Sequence, residues 1–154
     1  MNGGIIQQAA PPIDIYLRPA NRFVATFVGA NNLMAVSRTA AGSKLVSGQV
    51  EITRQINCDG SVVAATRPED VRILAVGAEV PEGEIIVSAR IREVSLIGRE
   101  MEIFLQTDAD EYIKAVARPD PAVLALPENS PVTLSIRPDD LSFFLDSGDG
   151  GRVL

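Results

Sequence analysis

Residues 66–74 read TRPEDVRIL and residues 136–144 read IRPDDLSFF. Arg67, Pro68, Glu69, Asp70 and Val71 align with Arg137, Pro138, Asp139, Asp140 and Leu141, and an alternating run leads into each copy, VVAAT before the first and VTLSI before the second. An internal repeat constrains a fold more than any other feature, because the same supersecondary unit must be housed twice. Proline removes a ladder donor, fixes its own φ and biases the residue before it toward extended backbone, so each Arg is expected to end a strand. The acid and Asp that follow are turn formers. The apolar residues after them resume a strand or a short helical turn. The offset of 70 residues between Arg67 and Arg137 predicts two interleaved lobes, since either half alone would be marginal.

A chain of 154 residues can bury a core within one domain, and 46% hydrophobic content against 22% charged is globular. Aromatics make up 5% and Trp is absent, so the core must be aliphatic. A net charge of −6, with basic residues scattered and nearly all Arg, opposes binding to a phosphate backbone, and no nucleic-acid partner is expected. The one cysteine, Cys58, excludes an internal disulfide and a multi-cysteine metal site. Histidine is absent, which removes the commonest general base and metal ligand. The chain is therefore expected to be non-catalytic. No apolar run approaches the length of a membrane span, and a cytoplasmic location is expected.

Taken in order, Gly3 and Gly4 supply a turn and Ile5–Ile6 read as one arm of a hairpin, as if cut from something longer. Pro12 suits a first helical position, with Ile13, Tyr16 and Leu17 on one side; Arg18-Pro19 breaks that helix and starts another. Phe23, Val24 and Phe27 form the second helix's apolar face, and Gly29 closes it. Beyond Asn31 the pattern is β. Short segments at Leu33–Val36, Leu45–Thr53 and Ser61–Thr66 are separated by turn residues, Asp59-Gly60 among them. The longest predicted strand, Glu84–Val94, puts Ile85, Val87, Ala89 and Ile91 on one face. Met101, Ile103 and Leu105 alternate in the next, Tyr112–Ala117 follows, Ala122–Leu126 forms one helical turn, and Val132, Leu134 and Ile136 form the last inward face. The Gly-rich tail DSGDGGRVL is expected to be mobile. Short strands around one long curved strand predict a mainly β fold, a small closed barrel of the OB type with a short N-terminal helical segment. The predicted division is 1–29 as a helical junction, 30–146 as the β domain and 147–154 as a flexible tail.

The site candidates are the six charged residues of the repeat: Arg67, Glu69 and Asp70, and Arg137, Asp139 and Asp140. Turn chemistry alone accounts for these residue types, with Asp bonding local backbone and Arg covering a strand end. A contact surface for a second subunit or an effector is the other reading. Paired carboxylates can perform acid–base chemistry, but here each pair is accompanied by Arg. Arg90, Arg92 and Arg99 could line an anion site, or form a solvated strand face balanced by Glu93, Glu100 and Glu102. Cys58 reads as a turn residue beside Asp59-Gly60.

The stretch IIQQAAPPIDIYLRPANRFVATFVG, residues 5–29, resembles the junction that follows the nucleotide-binding domain in importer-type ABC transporter ATPase subunits. The pattern there is roughly G-x-I-x-Q-x-G-x-P-x-x-I-Y-x-x-P-x-N-x-F-V-A-x-F-I-G. Ala9 or Ala10 stands here in place of its second glycine. The segments Arg67 to Val71 and Ile136 to Leu141 resemble the C-terminal regulatory domain of those subunits, the transport-associated OB (TOBE) type, and Ala30 to Leu33 are similar to the entry into its first strand. The likeness covers almost the whole chain.

The resemblance implies a non-catalytic regulatory and dimerisation domain of an ABC importer's ATP-binding subunit. It implies a homodimer, permease subunits as partners of the parent protein, a small-molecule or protein effector, and a place at the inner face of the plasma membrane. No cofactor is expected in this chain; ATP and Mg²⁺ belong to the parent. Neither a G-x-x-x-x-G-K-[ST] phosphate loop nor an acidic strand end for Mg²⁺ is present. Val46-Ser47-Gly48-Gln49 echoes the ABC signature but is one glycine short and lies in a β-like segment. The alternative function is a sensing module for an oxyanion or metabolite. In related oxyanion-binding domains an S-x-R-N segment announces the site; Ser37-Arg38-Thr39 and Ser88-Ala89-Arg90-Ile91 both lack its Asn.

Overall fold

The structure is a computed structural model; it describes residues 1–29, 32–40, 42–49, 51–52, 56, 58–74, 78–147 and 150–153. Two short helices, α1 (Pro12–Leu17) and α2 (Arg22–Phe27), precede the strands. These are β1 (Asn32–Arg38), β2 (Ser43–Leu45), β3 (Glu51–Ile52), β4 (Val62–Thr66), β5 (Arg72–Leu74), β6 (Ile85–Ile97), β7 (Glu100–Thr107), β8 (Tyr112–Ala117), β9 (Pro131–Ile136) and β10 (Ser142–Leu145), with a helical turn α3 (Pro121–Leu124) before β9. Among the described residues they form two antiparallel five-stranded sheets, ordered β10-β4-β1-β2-β3 and β5-β9-β6-β7-β8. The fold is mainly β and OB-like, as the spacing of turn signals predicts. Thr53, the end of the predicted Leu45–Thr53 segment, lies outside the described residues.

Each repeat copy is a strand, a 3-10 turn and a strand, and each crosses from one sheet to the other. β4 in the first sheet turns at Pro68–Asp70 into β5 in the second; β9 in the second turns at Pro138–Asp140 into β10 in the first. The copies pair with each other: Ala65 faces Ser142, and Arg72 faces Ser135. Exchanging every residue for its repeat counterpart converts one pair into the other, so a local twofold relates the two crossings. The shared Arg-Pro-acid-Asp sequence therefore sits where the chain changes sheets.

Two seams join the sheets beyond the crossings. The buried Asn32 carboxamide accepts from Lys114 N and donates to Lys114 O, both at 2.8 Å, so one side chain stands in for a backbone ladder rung between β1 and β8. On the other side Gly48 bridges Val87 of β6, and Gln49 N donates to Ile86 O at 3.0 Å. A Cβ at Gly48 would lie 3.0 Å from Ile85 Cγ2 and 3.1 Å from Leu45 Cβ, so any larger residue here would have to push these side chains aside. The signature-like Val46–Gln49 is thus a barrel seam.

The aliphatic core lies between the sheets. Ile85, Val87, Ala89 and Ile91 of β6, Met101, Ile103 and Leu105 of β7, and Leu134 and Ile136 of β9 all point into it. A bulge between Ile91 and Glu93 shifts the phase of β6, so Val94 replaces Glu93 on the inward side. β4 is buried on both faces: Val62 and Ala64 face the main core, whereas Val63 and Ala65 join Phe144 and Ala25 under α2. That explains the run of small apolar residues leading into the first corner.

One expectation needs correction. Of the predicted face Phe23–Val24–Phe27, Val24 is buried but the phenylalanines do not seat α2. Asn21 caps the helix by accepting from Val24 N at 2.9 Å, and the phase this sets buries Val24 and the small Ala25, while Phe27 is 81% exposed and stacks on Phe23. The described residues of the tail make backbone hydrogen bonds to the body of the fold. Gly150, at φ 63°, turns the chain back along β10; Leu145 N donates to Gly151 O and Val153 N to Phe143 O, while Arg22 N donates to Gly150 O and Arg152 N to Ala20 O. The tail's backbone groups find partners on β10 and at the start of α2.

Candidate functional site

The crossing topology brings together what sequence spacing keeps far apart. Arg67, Glu69, Asp70, Asp139 and Asp140 line one cleft of about 480 Å³, roofed by Tyr16 and Leu17 of α1. Arg137 lines a smaller neighbouring hollow of about 190 Å³ with Glu69, Asp70, Arg72 and Asp140. All six predicted residues thus meet at one end of the barrel.

At the second corner Arg137 forms a bidentate fork with Asp140, Nε to Oδ2 at 2.7 Å and Nη2 to Oδ1 at 2.9 Å, and this bond pushes the guanidinium's pKa further up. At the first corner the equivalent fork is not made. Arg67 Nη2 donates instead to Tyr16 O, and its guanidinium lies 3.9 Å from the centre of the Tyr16 ring. Tyr16 in turn donates its hydroxyl proton to Glu69 Oε1 at 3.0 Å, a bond that raises the phenol's pKa. Partial burial, then the charges of Asp140 and Glu69, raise the pKa of Asp70 against the pull of Arg67 and Arg137.

Below the corners Glu84 ties the two copies together at the Arg72–Ser135 pair. It accepts from Arg72 of the first copy and from the Ser135 hydroxyl of the second; the Ser135 bond foremost, then Arg72, lowers its pKa. Tyr16, Glu84 and Asn32 are not among the sequence-predicted site residues. Tyr16 carried a signal in its place on the helical face beside Leu17; Glu84 carried none, because its partners come from both copies of the repeat.

Of the remaining candidates, Arg90 and Arg92 meet at Asn129. Arg90 Nη1 donates to Asn129 O, and Arg92 bonds Gln106 and the Asn129 side chain. Arg99 sits at the tip of the β6–β7 hairpin. Cys58 lies beside Arg38, whose Nη2 is 3.5 Å from its sulfur and donates to Gly60 O at 2.6 Å. Among the described residues no group of three or more His, Cys, Asp or Glu is arranged to hold a metal ion, and no helix is long and apolar enough to cross a membrane. Of these carboxylates, Asp140 is engaged by Arg137, Glu69 by Tyr16, and Glu84 by Arg72 and Ser135.

A family profile described as a TOBE domain matches residues 64–144, a span that opens in β4 and closes in β10 and so contains both crossings. The sn-glycerol-3-phosphate import ATP-binding protein UgpC of Rhodopseudomonas palustris is 35% identical over 106 residues, covering 68% of this chain and 26% of its own length. The Fe(3+) ions import ATP-binding protein FbpC of Fusobacterium nucleatum is 29% identical over 96% of this chain and 39% of its own. The spermidine/putrescine import ATP-binding protein PotA of Rubrobacter xylanophilus is 32% identical over 88% and 37%. The chain therefore spans well under half the length of these relatives. Among solved structures, the cytoplasmic molybdate-binding protein ModG, crystallised with molybdate bound, superposes with a TM-score of 0.56 at 12% identity, over 75% of this chain and 96% of that one. That likeness concerns the fold.

Proposed function

Because the chain belongs to the TOBE domain family, we propose that it is the non-catalytic regulatory and dimerisation domain of the ATP-binding subunit of an ABC import system. The observation that carries this reading is similarity to import ATP-binding proteins, in FbpC over 96% of the chain and 39% of the relative's own length. The sequence itself has no phosphate-binding loop and no histidine. ATP and Mg²⁺ would be held by the rest of the parent polypeptide, and permease subunits would be the parent's partners at the inner face of the membrane. The relatives are named for different solutes, so the proposal concerns the coupling of ATP hydrolysis to uptake and not one cargo.

Within such a subunit a fixed contact between two copies would act as a hinge while nucleotide domains open and close. The exposed Leu96 and Ile97 at the β6–β7 tip, and Tyr112 on the edge strand β8, fit that contact. Light scattering across a concentration series tests it: the mass is expected to rise from monomer toward dimer, and a strict monomer at high concentration overturns the dimerisation role. ATP turnover by the purified chain would overturn its non-catalytic character.

A further inference from the structure

Helix α1 belongs to a lobe that is closed at its base and loosely held at its body. At the base, Ala20 N donates to Gln8 Oε1 at 2.9 Å, Gln8 Nε2 donates to Arg18 O at 3.1 Å, and Ala20 O accepts from Arg152 N at 3.1 Å. At the body, α1 has no buried residue; Ile13 is 60% and Leu17 56% exposed. Six residues of helix do not hold themselves in water. Between α1 and the corners lies the cleft, crossed by the Tyr16 side chain. Tyr16 is the grip: it accepts from Arg67 through its backbone carbonyl, carries the guanidinium over its ring and donates to Glu69.

The repeat supplies an internal control for what Arg67 does without that grip. Arg67 precedes its 3-10 turn at φ −85°, ψ 150°, and Arg137 precedes its own at φ −74°, ψ 136°. From nearly the same backbone, Arg137 reaches the Asp three residues on and uses Nε to do so. Arg67 Nε is buried without a hydrogen-bond partner, a costly state for a charged donor. Asp70, the carboxylate in the position of Asp140, lies within the same cleft. We propose that α1 is a releasable strap latched by Arg67, and that Arg67 has a second seat, a fork onto Asp70, which it takes when the strap lets go. The latched seat keeps the cation–π contact and leaves Nε unpaired; the released seat satisfies Nε and neutralises Asp70. Whatever competes for Tyr16 or draws α1 away would therefore reset the charge pairing at the sheet crossing. This device is independent of the transporter reading.

Hydrogen exchange and NMR titration on the 154-residue chain test it. In Tyr16→Ala the amides of residues 13–18 are expected to exchange at least tenfold faster while those of β6 stay unchanged, and Arg137→Ala is expected to leave residues 13–18 as they are. In the same Tyr16→Ala variant the Asp70 carboxyl is expected to titrate at lower pH, and adding Arg67→Ala should cancel that movement. Unchanged exchange over residues 13–18 in both Tyr16→Ala and Arg67→Ala would show that something else holds the strap. An Asp70 titration indifferent to Tyr16→Ala would eliminate the second seat.

Discussion

Arg67 and Arg137 leave their strands at similar backbone angles, yet the first reaches out to Tyr16 and the second folds back onto Asp140. The local sequence is the same, so the neighbourhood decides: α1 lies over the first corner and not over the second. The strands beyond the corners differ as well. After the second corner, Phe143 and Phe144 of β10 are both fully buried, one in the main core and one under α2. After the first, the equivalent Ile73 and Leu74 of β5 are only partly buried, although both strands lie at the edge of their sheets. One copy of the repeat thus anchors the barrel, and the other leaves its corner available to a second element.

The largest expected effect follows from that asymmetry. Phe143→Ala should cost about 3–5 kcal/mol through lost burial and a residual cavity. Ile73→Ala, at the equivalent position, should cost only about 1–2 kcal/mol, because part of its side chain is already in water. Urea unfolding midpoints measure both. Equal losses would mean that β5 is as much a part of the core as β10, and the comparison would fail.

A smaller effect separates the two pairings between the copies by pH. The Ala65–Ser142 pair carries no charge, whereas at the Arg72–Ser135 pair Glu84 joins both copies, its side chain 11% exposed. Its pKa is lower in the folded chain than the ordinary 4.5. A lowered folded pKa contributes stability that is present above the unfolded value and lost as pH falls through the folded one. Glu84→Gln should therefore lower the thermal midpoint at neutral pH and make the decline below about pH 4.5 shallower, while Ser142→Ala leaves the acid limb unchanged. A limb unaltered by Glu84→Gln would place the acid sensitivity elsewhere.

Much of this was readable from residue order because the forces involved are local. Proline ends β4 and β9, the acid–Asp pair turns the chain, and period-two alternation picks out Ile85 to Ile91 and Met101 to Leu105 as inward. The sheet change at each corner was not readable, since alternation reports which face is buried and not which sheet the strand joins. The Asn32 seam and the Glu84 bridge escaped for a related reason: their partners lie on strands distant in sequence. The seating of α2 on Val24 and Ala25 rather than on the phenylalanines shows cap geometry and close approach prevailing over hydrophobicity. Arg67 and Arg137 were indistinguishable in the sequence, because what separates them is a helix that happens to pass over one.

The smallest effect is the sharpest test of that separation, because it is one of sign. The folded-state pKa of Asp70 is raised above 3.8, so its contribution is favourable below that value and is lost as pH rises through the folded pKa. At neutral pH its ionised form costs stability, and Asp70→Asn should raise the thermal midpoint slightly, a gain of less than about 1 kcal/mol in stability since solvent screens a partly exposed charge. Asp140→Asn removes the fork to Arg137 and should lower the midpoint. Opposite signs at repeat-equivalent positions are the mark of one occupied and one vacated arginine seat. In a Tyr16→Ala background, where Arg67 is free to fold back, Asp70→Asn should change sign and match Asp140→Asn. If it stays stabilising there, the two corners differ for a reason other than the strap.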